Sequence, residues 1–481
     1  MKAGLRFWLF LASLALFGRL FQTRVLWAEE TLPLAVAQQM LAGAGLYRDV
    51  WFDKPPLLAW FYAGVLGLVG ASGYGLRMVG VFYILAVTFV GYLLADRLWG
   101  QAAGRWTAFF LAFFTAFYIP SATVALAADL LLLLPHLAAF YFLVSGRAAL
   151  AGLSAGLAFH LNAKALFVAA AAGAWLFLAG RRGEIFPLAA GFLLPAAAGA
   201  GLLALTGGWS GYLEQVWRWG SLYAQAPFSE SPWELGLTRS LNYLGFHAAL
   251  ALGAVMFFRR PSMERTPLAL WLGICFLGVL AGARFFPRYY FQILPPLAVA
   301  AGAGWAHLPR RGMAVAALGV ALTVPAVRFG RVNLWLALGI PFSWSDAAMD
   351  ADSRRVAARV RELTHPAERI FVWGFRPEVY YYAGRIGASR FLESQPLTGV
   401  LADRHLARSD PFTTAWAARN RRLLAEELAA SRPAMIVDGL GSYNPRLAIE
   451  NYAEIQPLLR GYRLVDQTAG ARVYGRSREG D

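Results

Sequence analysis

Long apolar runs separated by short polar loops dominate the first 330 residues of the chain. The first run, residues 7–27, has about 20 residues, enough to cross the roughly 30 Å hydrocarbon core of a bilayer as a helix. Ten further runs are predicted to span the membrane, at roughly 75–95, 106–123, 130–146, 148–162, 165–180, 185–206, 241–258, 266–282, 289–306 and 312–328. The pattern therefore predicts an α-helical polytopic membrane protein with about eleven transmembrane helices.

Two shorter apolar patterns predict helices at the membrane surface. Residues 57–70 are apolar, but about 14 residues rise only ~21 Å as a helix, which favours an interfacial or re-entrant helix over a span. In the preceding loop, Leu32, Val36 and Met40 recur at four-residue spacing. That spacing predicts a short helix lying on the membrane surface.

After Arg328 the pattern changes to that of a soluble α/β domain. Helices alternate with short β-branched strands, which predicts a small, partly parallel sheet. The helices are expected near 347–364, 411–431 and 446–459, and the strands near 369–374, 434–438, 462–466 and 471–475. We therefore predict a membrane domain over residues 1–330 and an α/β domain over residues 345–481.

Arginine-rich loops orient the spans. If residues 57–70 do not cross the membrane, the basic loops all fall on one side of it. The arginines of these loops include Arg97, Arg105, Arg147, Arg181 and Arg182. The positive-inside rule places that side in the cytoplasm, together with the N-terminus. With an odd number of spans, the C-terminal domain is extracytoplasmic. The predicted location is the plasma (inner) membrane, with many passes.

Composition supports this class. The chain has 481 residues, 58% of them hydrophobic, and a mean hydropathy of +0.48. Its net charge of +16 comes largely from loop arginines, which indicate membrane orientation, so no nucleic-acid partner is expected. The single cysteine, Cys275, excludes a disulfide framework and a cysteine-based metal site.

The first predicted extracytoplasmic loop, residues 27–56, concentrates charge beside the bilayer, where charge is costly. Glu29 and Glu30 directly follow the first span and could act as a general base, or could cap the surface helix. Asp53 and Lys54 precede two prolines, which suits an anionic ligand such as a lipid phosphate. The alternative is that Lys54 pairs only with Asp53 or with a lipid headgroup.

Other polar groups reach the same predicted side of the membrane. Arg284 and Arg288 break the positive-inside pattern, so a phosphate ligand would explain them, although interfacial anchoring is the alternative. A divalent cation held by Asp53 and His247 is a weak alternative, and no metal is favoured. Supporting positions are predicted at Tyr47, Arg48, Asp129, Lys164 and Tyr289.

The first loop resembles a known family. The acidic pair Glu29–Glu30, Ala37–Leu41, Gly45–Val50 and Asp53–Leu57 resemble the first extracytoplasmic loop of GT-C glycosyltransferases. Glycosyltransferase family 39, with protein O-mannosyltransferases and lipid A aminoarabinose transferases, is the most similar group. The segment from Arg284 to Tyr290 is similar to the family's segment before a late span. The resemblance covers roughly residues 1–330.

The resemblance implies transfer of a sugar, with inversion, from a polyprenyl-phosphate donor to an acceptor glycan, lipid or protein at the outer face of the membrane. It implies that Glu29 is the catalytic carboxylate, with Glu30 beside it, and that Lys54 binds the donor phosphate. The family's other carboxylates map onto Asp53 and Asp129. No cofactor is certain, and a divalent cation is left open.

A polytopic transporter or lipid-linked-sugar flippase is the alternative function. Such a protein would show inverted repeats and charged residues near span midpoints. The sequence shows neither pattern. A non-catalytic scaffold would not need the acid–lysine cluster of the first loop, so the sequence favours the glycosyltransferase.

Overall fold

The computed structural model describes residues 2–226, 228–307, 312–340, 344–401 and 411–477. A helical region comes first in the chain. Its α-helices, in order, are α1 Lys2–Leu20, α2 Ala28–Leu41, α3 Pro56–Val69, α4 Gly73–Trp99, α5 Gln101–Ala116, α6 Pro120–Thr123, α7 Ala128–Leu131, α8 Leu133–Val144, α9 Ala148–Leu161, α10 Leu166–Leu178, α11 Ile185–Leu205, α12 Trp209–Tyr212, α13 Trp219–Gln225, α14 Pro232–Phe246, α15 Ala248–Phe258, α16 Arg265–Leu280, α17 Leu294–Ala306 and α18 Gly312–Leu338.

Helices occupy the predicted spans, but many of them are short. Among the described residues, three helical stretches are long and apolar enough to cross a bilayer: Gly73–Trp99, Arg182–Leu205 and Val315–Leu338. The pair α14 and α15, bent by 87°, makes a fourth if it is one span. Several other apolar helices have 10–17 residues, at most about 26 Å of rise. The apolar helices identify the protein as a membrane protein. The predicted count of about eleven transmembrane helices is not confirmed.

Close backbone contacts hold the short helices together. A Cβ atom added to Gly152 of α9 would lie 2.0 Å from the carbonyl oxygen of Leu188 in α11. One added to Gly304 of α17 would lie 1.9 Å from the carbonyl oxygen of Gly253 in α15. Small residues at helix interfaces permit this close approach in membranes, where lipid gives no hydrophobic drive to association.

Helix α2 is enclosed by protein, which corrects the prediction that it lies on the membrane surface. It packs against α3 on one side and against the C-terminal region on the other. Leu34 and Val36 are fully buried. The apolar spacing is visible in the sequence, but the contact between α2 and the C-terminal region is not. Helix α3 has the 14 residues expected of the short helix.

The C-terminal region is a mixed α/β unit. Its elements, in order, are α19 Ser345–Leu363, β1 Arg369–Trp373, α20 Glu378–Ala383, β2 Ile386–Gly387, α21 Gln395–Thr398, α22 Thr414–Ser431, β3 Met435–Asp438, α23 Gln456–Leu459, β4 Tyr462–Gln467 and β5 Arg472–Arg476. The sheet order is β2-β1-β3-β5-β4, with β1 parallel to β2 and β3, and β5 antiparallel to β3 and β4. The partly parallel sheet is confirmed. Residues 402–410 and 478–481 of the predicted domain lie outside the described residues.

The helix predicted at 446–459 is wrong. The segment forms 3₁₀ turns at Pro445–Leu447 and Ile449–Asn451, followed by the short α23. The reason is Asp438 at the end of β3, whose carboxylate accepts hydrogen bonds from the backbone amides of Leu440, Gly441 and Ile449. A buried carboxylate that collects amide donors holds the chain in tight turns instead of a helix.

Candidate functional site

The loop between α2 and α3 is a compact turn. Tyr47 has the left-handed backbone angle φ 63°, and its amide donates to the carbonyl oxygen of Val50 at 3.1 Å. Its hydroxyl donates to the carbonyl oxygen of Lys54 at 2.6 Å. The Gly45 amide donates to the Asp49 carboxylate at 2.8 Å. Tyr47, a predicted supporting residue, therefore sets the position of Lys54.

Distant segments hold this loop in place. The Gln215 amide nitrogen donates to the carbonyl oxygen of Tyr47 at 2.8 Å, and its oxygen accepts from the Phe52 amide at 2.9 Å. From the C-terminal region, the carbonyl oxygen of Arg390 accepts from the Trp51 amide at 2.9 Å. Gln215 could not be found from the sequence, because no recognisable motif surrounds it.

Asp53 and Lys54 form an ion pair with an N–O distance of 3.0 Å. Asp53 is buried, with its second oxygen unpaired among the described residues, whereas the Lys54 side chain is 45% exposed. Burial lowers the pKa of Lys54, but the negative charge of Asp53 and the hydrogen bond to its carboxylate outweigh burial and raise that pKa. Lys54 therefore presents a stable positive charge with an open face.

Glu29 pairs with Arg288, at 2.6 Å between Oε1 and Nη1. The same guanidinium lies 3.5 Å from the Asp129 carboxylate, which also accepts from the Asn162 amide at 2.8 Å. Burial lowers the pKa of Arg288, but the charge of Glu29 outweighs it, so that pKa is raised. Because its guanidinium already joins two carboxylates, these contacts favour Arg288 as a positioning residue over the predicted phosphate ligand.

Glu30 has a different environment. Its carboxylate forms a bidentate ion pair with Arg77, at 2.6 and 2.8 Å, and accepts from the Trp27 amide at 2.9 Å. Both charged side chains are almost fully buried. Arg77 also donates to the carbonyl oxygens of Gln22 and Val25. These contacts favour a structural role for Glu30 over the predicted catalytic one.

Arg284 is buried and holds the C-terminal end of α13. Its Nη2 donates to the carbonyl oxygen of Tyr223 at 2.5 Å, and its guanidinium lies 3.8 Å from the centre of the Tyr223 ring. A guanidinium stacked and hydrogen-bonded in this way is committed to the protein. The predicted phosphate-binding role of Arg284 is therefore not favoured.

Lys164 is the other lysine at the site. It lies in the 3₁₀ turn Ala163–Ala165, where the Asn162 side chain accepts from its amide. Its ammonium lies 3.2 Å from the centre of the Tyr289 ring and is buried, with no hydrogen-bond partner among the described residues. An ammonium with unused donors is suited to an anionic ligand, and Tyr289 supports it.

The C-terminal region adds a carboxyl group that sequence analysis missed. Glu393 lies within electrostatic reach of Asp53, Lys54 and Glu29, and the Phe391 ring packs on Trp51 at 5.4 Å. Burial, and then the negative charge of Asp53, raise the pKa of Glu393 to about 8. No flanking motif marks this residue, so only the tertiary structure brings it to the first loop.

An apolar groove begins beside these charges. It has a volume of about 450 Å³ and lies between α3, α4, α8 and α9. Its lining includes Leu57, Leu131 and Leu161. These residues lie two or three positions from Lys54, Asp129 and Lys164. Part of the groove lining is therefore adjacent in sequence to the charged residues, which suits a lipid with a charged headgroup.

The predicted metal alternative does not fit the structure. Among the described residues no three His, Cys, Asp or Glu side chains converge on a common point. His247 lies at the bend between α14 and α15, where its ring stacks on Tyr243 at 4.0 Å and contacts Phe114 and Tyr118. His247 and Asp53 therefore do not form a cation site here.

No protein-family model and no curated protein matches the sequence. Solved structures do share its fold. ArnT from Cupriavidus metallidurans, bound to undecaprenyl phosphate, has a TM-score of 0.64 at 15% identity, over 97% of each chain. The oligosaccharyltransferase AglB from Archaeoglobus fulgidus, in complex with an inhibitory peptide and a dolichol-phosphate, has 0.53 at 12%, over 99% of this chain and 74% of AglB.

A third neighbour is the arabinofuranosyltransferase AftD from Mycobacteria, with a TM-score of 0.52 at 14% identity, over 98% of this chain and 41% of AftD. All three neighbours are GT-C superfamily glycosyltransferases. The chain has the GT-C fold. The fold that the resemblance of the first loop implies is thus confirmed. At these identities the likeness establishes the fold alone.

Proposed function

We propose that this GT-C protein transfers a sugar from a polyprenyl-phosphate donor to an acceptor glycan, lipid or protein. One observation carries the proposal: two lysines with open or unused donors, Lys54 and Lys164, lie where an apolar groove begins. The donor's prenyl chain occupies the groove and its phosphate lies between the lysines. ArnT bound to undecaprenyl phosphate and AglB in complex with a dolichol-phosphate support this class of donor.

The lysines stabilise the leaving group. As the bond between the sugar anomeric carbon and the phosphate oxygen breaks, its electron pair passes to the polyprenyl phosphate. Ammonium groups placed at that oxygen stabilise the growing charge, and they do so most strongly where water is excluded. Asp53 orients Lys54 through their 3.0 Å contact.

Glu29 takes the acceptor proton. Arg288 orients this carboxylate through the 2.6 Å contact, while the Glu29 side chain stays 28% exposed. The acceptor oxygen bonds to the anomeric carbon as the phosphate leaves, and its proton passes to Glu29. A single displacement of this kind inverts the anomeric configuration. The arginine pattern of the loops supports a reaction at the outer face of the plasma membrane.

The first experiment measures transfer directly. Protein in liposomes is incubated with radiolabelled polyprenyl-phosphate hexoses and pentoses and with membrane extracts as acceptors. We expect label to leave the lipid fraction for at least one donor. No loss of label from any donor, with folded protein, contradicts the proposal.

Lys54→Ala tests the phosphate site. We expect this variant to lose transfer and undecaprenyl phosphate binding by about 10²-fold or more, because a charge-assisted contact at the leaving group is removed. Arg419→Ala is the matched control, since Arg419 is an exposed cation paired with Glu214 at 2.8 Å. Equal loss in both variants, or no loss in Lys54→Ala, contradicts the assigned role.

A further inference from the structure

A second cavity lies between the first loop and the C-terminal region. Its volume of about 390 Å³ is within the range of small-molecule sites. One wall is the end of α2 with Gln39 and Ala42, joined by Asp49 of the first loop. The opposite wall is the edge of the sheet at Gly387, together with Glu427 of α22. Both parts of the protein are thus needed to build it.

The sheet wall is held rigidly. Glu427 accepts from the Ser389 hydroxyl at 2.7 Å and from the Arg390 amide at 3.0 Å, and it also pairs with the Arg390 guanidinium. Arg369 donates to the carbonyl oxygen of Gly387 at 3.0 Å. A wall fixed by its own hydrogen bonds is preorganised, so a ligand would not have to order it.

The charges that line the cavity balance. Asp49 and Glu427 are acidic, and Arg369 and Arg390 are basic. Such a lining does not select an anion or a cation by net charge. It offers donors and acceptors side by side, which suits hydroxyl groups, because each hydroxyl both donates and accepts.

Gln39 provides the independent sign of a ligand. Its side-chain oxygen accepts from the Gly387 amide at 3.1 Å, and the residue is only 4% exposed. Its amide nitrogen is buried with no hydrogen-bond partner among the described residues, although Gln39 lines the cavity. A buried donor without a partner is costly, so a ligand oxygen at this position would satisfy it.

The cavity adjoins the proposed reaction site along the chain. Asp49 lies four residues before Asp53, and the Trp51 amide between them donates to the carbonyl oxygen of Arg390. Resting on the proposed function, we infer that this cavity binds an uncharged saccharide unit of the acceptor, held by the Gln39 amide and by the polar wall of Arg369 and Glu427.

The test uses the full-length protein in nanodiscs and, as probes, the methyl glycosides of glucose, galactose, mannose, N-acetylglucosamine and arabinose. Binding is measured by saturation-transfer NMR without any lipid donor. We expect at least one glycoside to bind. Ala42→Trp, which places an indole at an exposed lining position, should weaken that binding by about tenfold or more. Gln39→Leu should weaken it about fivefold through loss of one hydrogen bond.

Gln38→Leu is the matched control. Gln38 is the neighbouring glutamine on the same helix, contacts the carbonyl oxygen of Arg385 at 3.5 Å and is not part of the cavity lining. It should leave glycoside binding unchanged. Absence of binding by every glycoside, equal binding in Ala42→Trp, or binding of a short serine- and threonine-containing peptide in place of the glycosides overturns the inference.

A parallel measurement separates this inference from the proposed function. Stabilisation of the same proteins by undecaprenyl phosphate reports on the lipid site alone. If the lipid stabilises the protein but no glycoside binds, the saccharide site is wrong and the donor site stands. If glycosides bind but the lipid has no effect, the proposed donor is wrong and the cavity is a saccharide site serving another reaction.

Discussion

Glu29 and Glu30 are neighbours in the first turn of one helix, yet their surroundings differ. Glu30 is fully buried, and both its oxygens accept hydrogen bonds from Arg77 or from the Trp27 amide. Glu29 is 28% exposed, and Arg288 is its only ion-pair partner among the described residues. The Glu30 carboxylate completes a structural contact, whereas the Glu29 carboxylate stays partly exposed.

The difference shows how to distinguish structural charges from functional ones in this protein. A buried ion pair is tolerated when hydrogen bonds satisfy its remaining atoms, and Arg77 meets this condition through the carbonyl oxygens of Gln22 and Val25. Among the described residues, the Lys164 ammonium and one Asp53 oxygen near the lipid groove have no hydrogen-bond partner. Their charge and their position beside the apolar groove make these two groups candidates for ligand contact.

The largest expected effect is on catalysis. Glu29→Gln removes the proposed base but keeps its size, so the transfer rate should fall by about 10²–10⁴-fold. The thermal midpoint should stay close to that of the wild type, because the amide oxygen still accepts from Arg288. Single-turnover rates and thermal unfolding in detergent measure the two quantities. An unchanged rate removes Glu29 from the mechanism.

Breaking the ion pair between Glu30 and Arg77 should, in contrast, lower folding stability. Arg77→Met leaves a buried, unpaired carboxylate, and breaking a buried pair costs about 3–5 kcal/mol of folding stability. We expect little folded protein by size-exclusion chromatography. The double variant Glu30→Met/Arg77→Met should recover most of the stability, since an apolar pair avoids the desolvation cost. A stable Arg77→Met single variant contradicts the structural role.

Lys164→Met should separate stability from binding. The Lys164 ammonium has no hydrogen-bond partner among the described residues, so its removal should not lower the thermal midpoint. Affinity for undecaprenyl phosphate should nevertheless fall about 10–100-fold, because the variant loses the binding free energy of one or two charge-assisted hydrogen bonds. Thermal unfolding without lipid gives the midpoint, and the shift of that midpoint with added lipid reports the affinity. A destabilised variant with normal lipid affinity reverses the assignment.

A smaller effect is expected from pH. Glu393 has a pKa raised to about 8 by burial and by Asp53, so the folded protein holds its proton at pH values where the unfolded chain has lost it. Its contribution therefore makes the protein less stable as pH rises from about 4.5 to about 8. Glu393→Gln, which cannot ionise, should show a weaker fall in thermal midpoint over that window. Equal pH dependence in both proteins contradicts the assignment.

The smallest effect is expected at Arg48, a predicted supporting residue. Its ion pair with Asp49 lies at the surface, with the two side chains 53% and 42% exposed. Exposed ion pairs contribute little to stability, because water and salt screen them. Arg48→Ala should leave the thermal midpoint unchanged and the transfer rate within about twofold. A loss of transfer comparable to that of Lys54→Ala would place Arg48 in the site.

Much of the fold could be predicted because apolar periodicity is local. Helices occur where the apolar runs are, and β1 and β3 lie close to their predicted positions. The count of spans was not confirmed, because helix length also depends on where proline, glycine and tertiary contacts end each helix. The helix expected at 446–459 is absent for a related reason, since Asp438, which lies outside that segment, accepts from the Ile449 amide within it.

The sequence by itself determined that this is a membrane protein with charges concentrated beside its first apolar run, and the residues of that loop sufficed to indicate the GT-C fold. Only the tertiary structure decided which charges are already paired. Arg77 lies far along the chain from the Glu30 carboxylate with which it pairs, and Gln215 lies far from the Tyr47 carbonyl oxygen to which it donates. Glu393 is likewise distant in sequence from Lys54, which lies within its electrostatic reach. The physical reason is that ion pairs and hydrogen bonds depend on distance in space, and the fold, not the spacing in sequence, sets that distance.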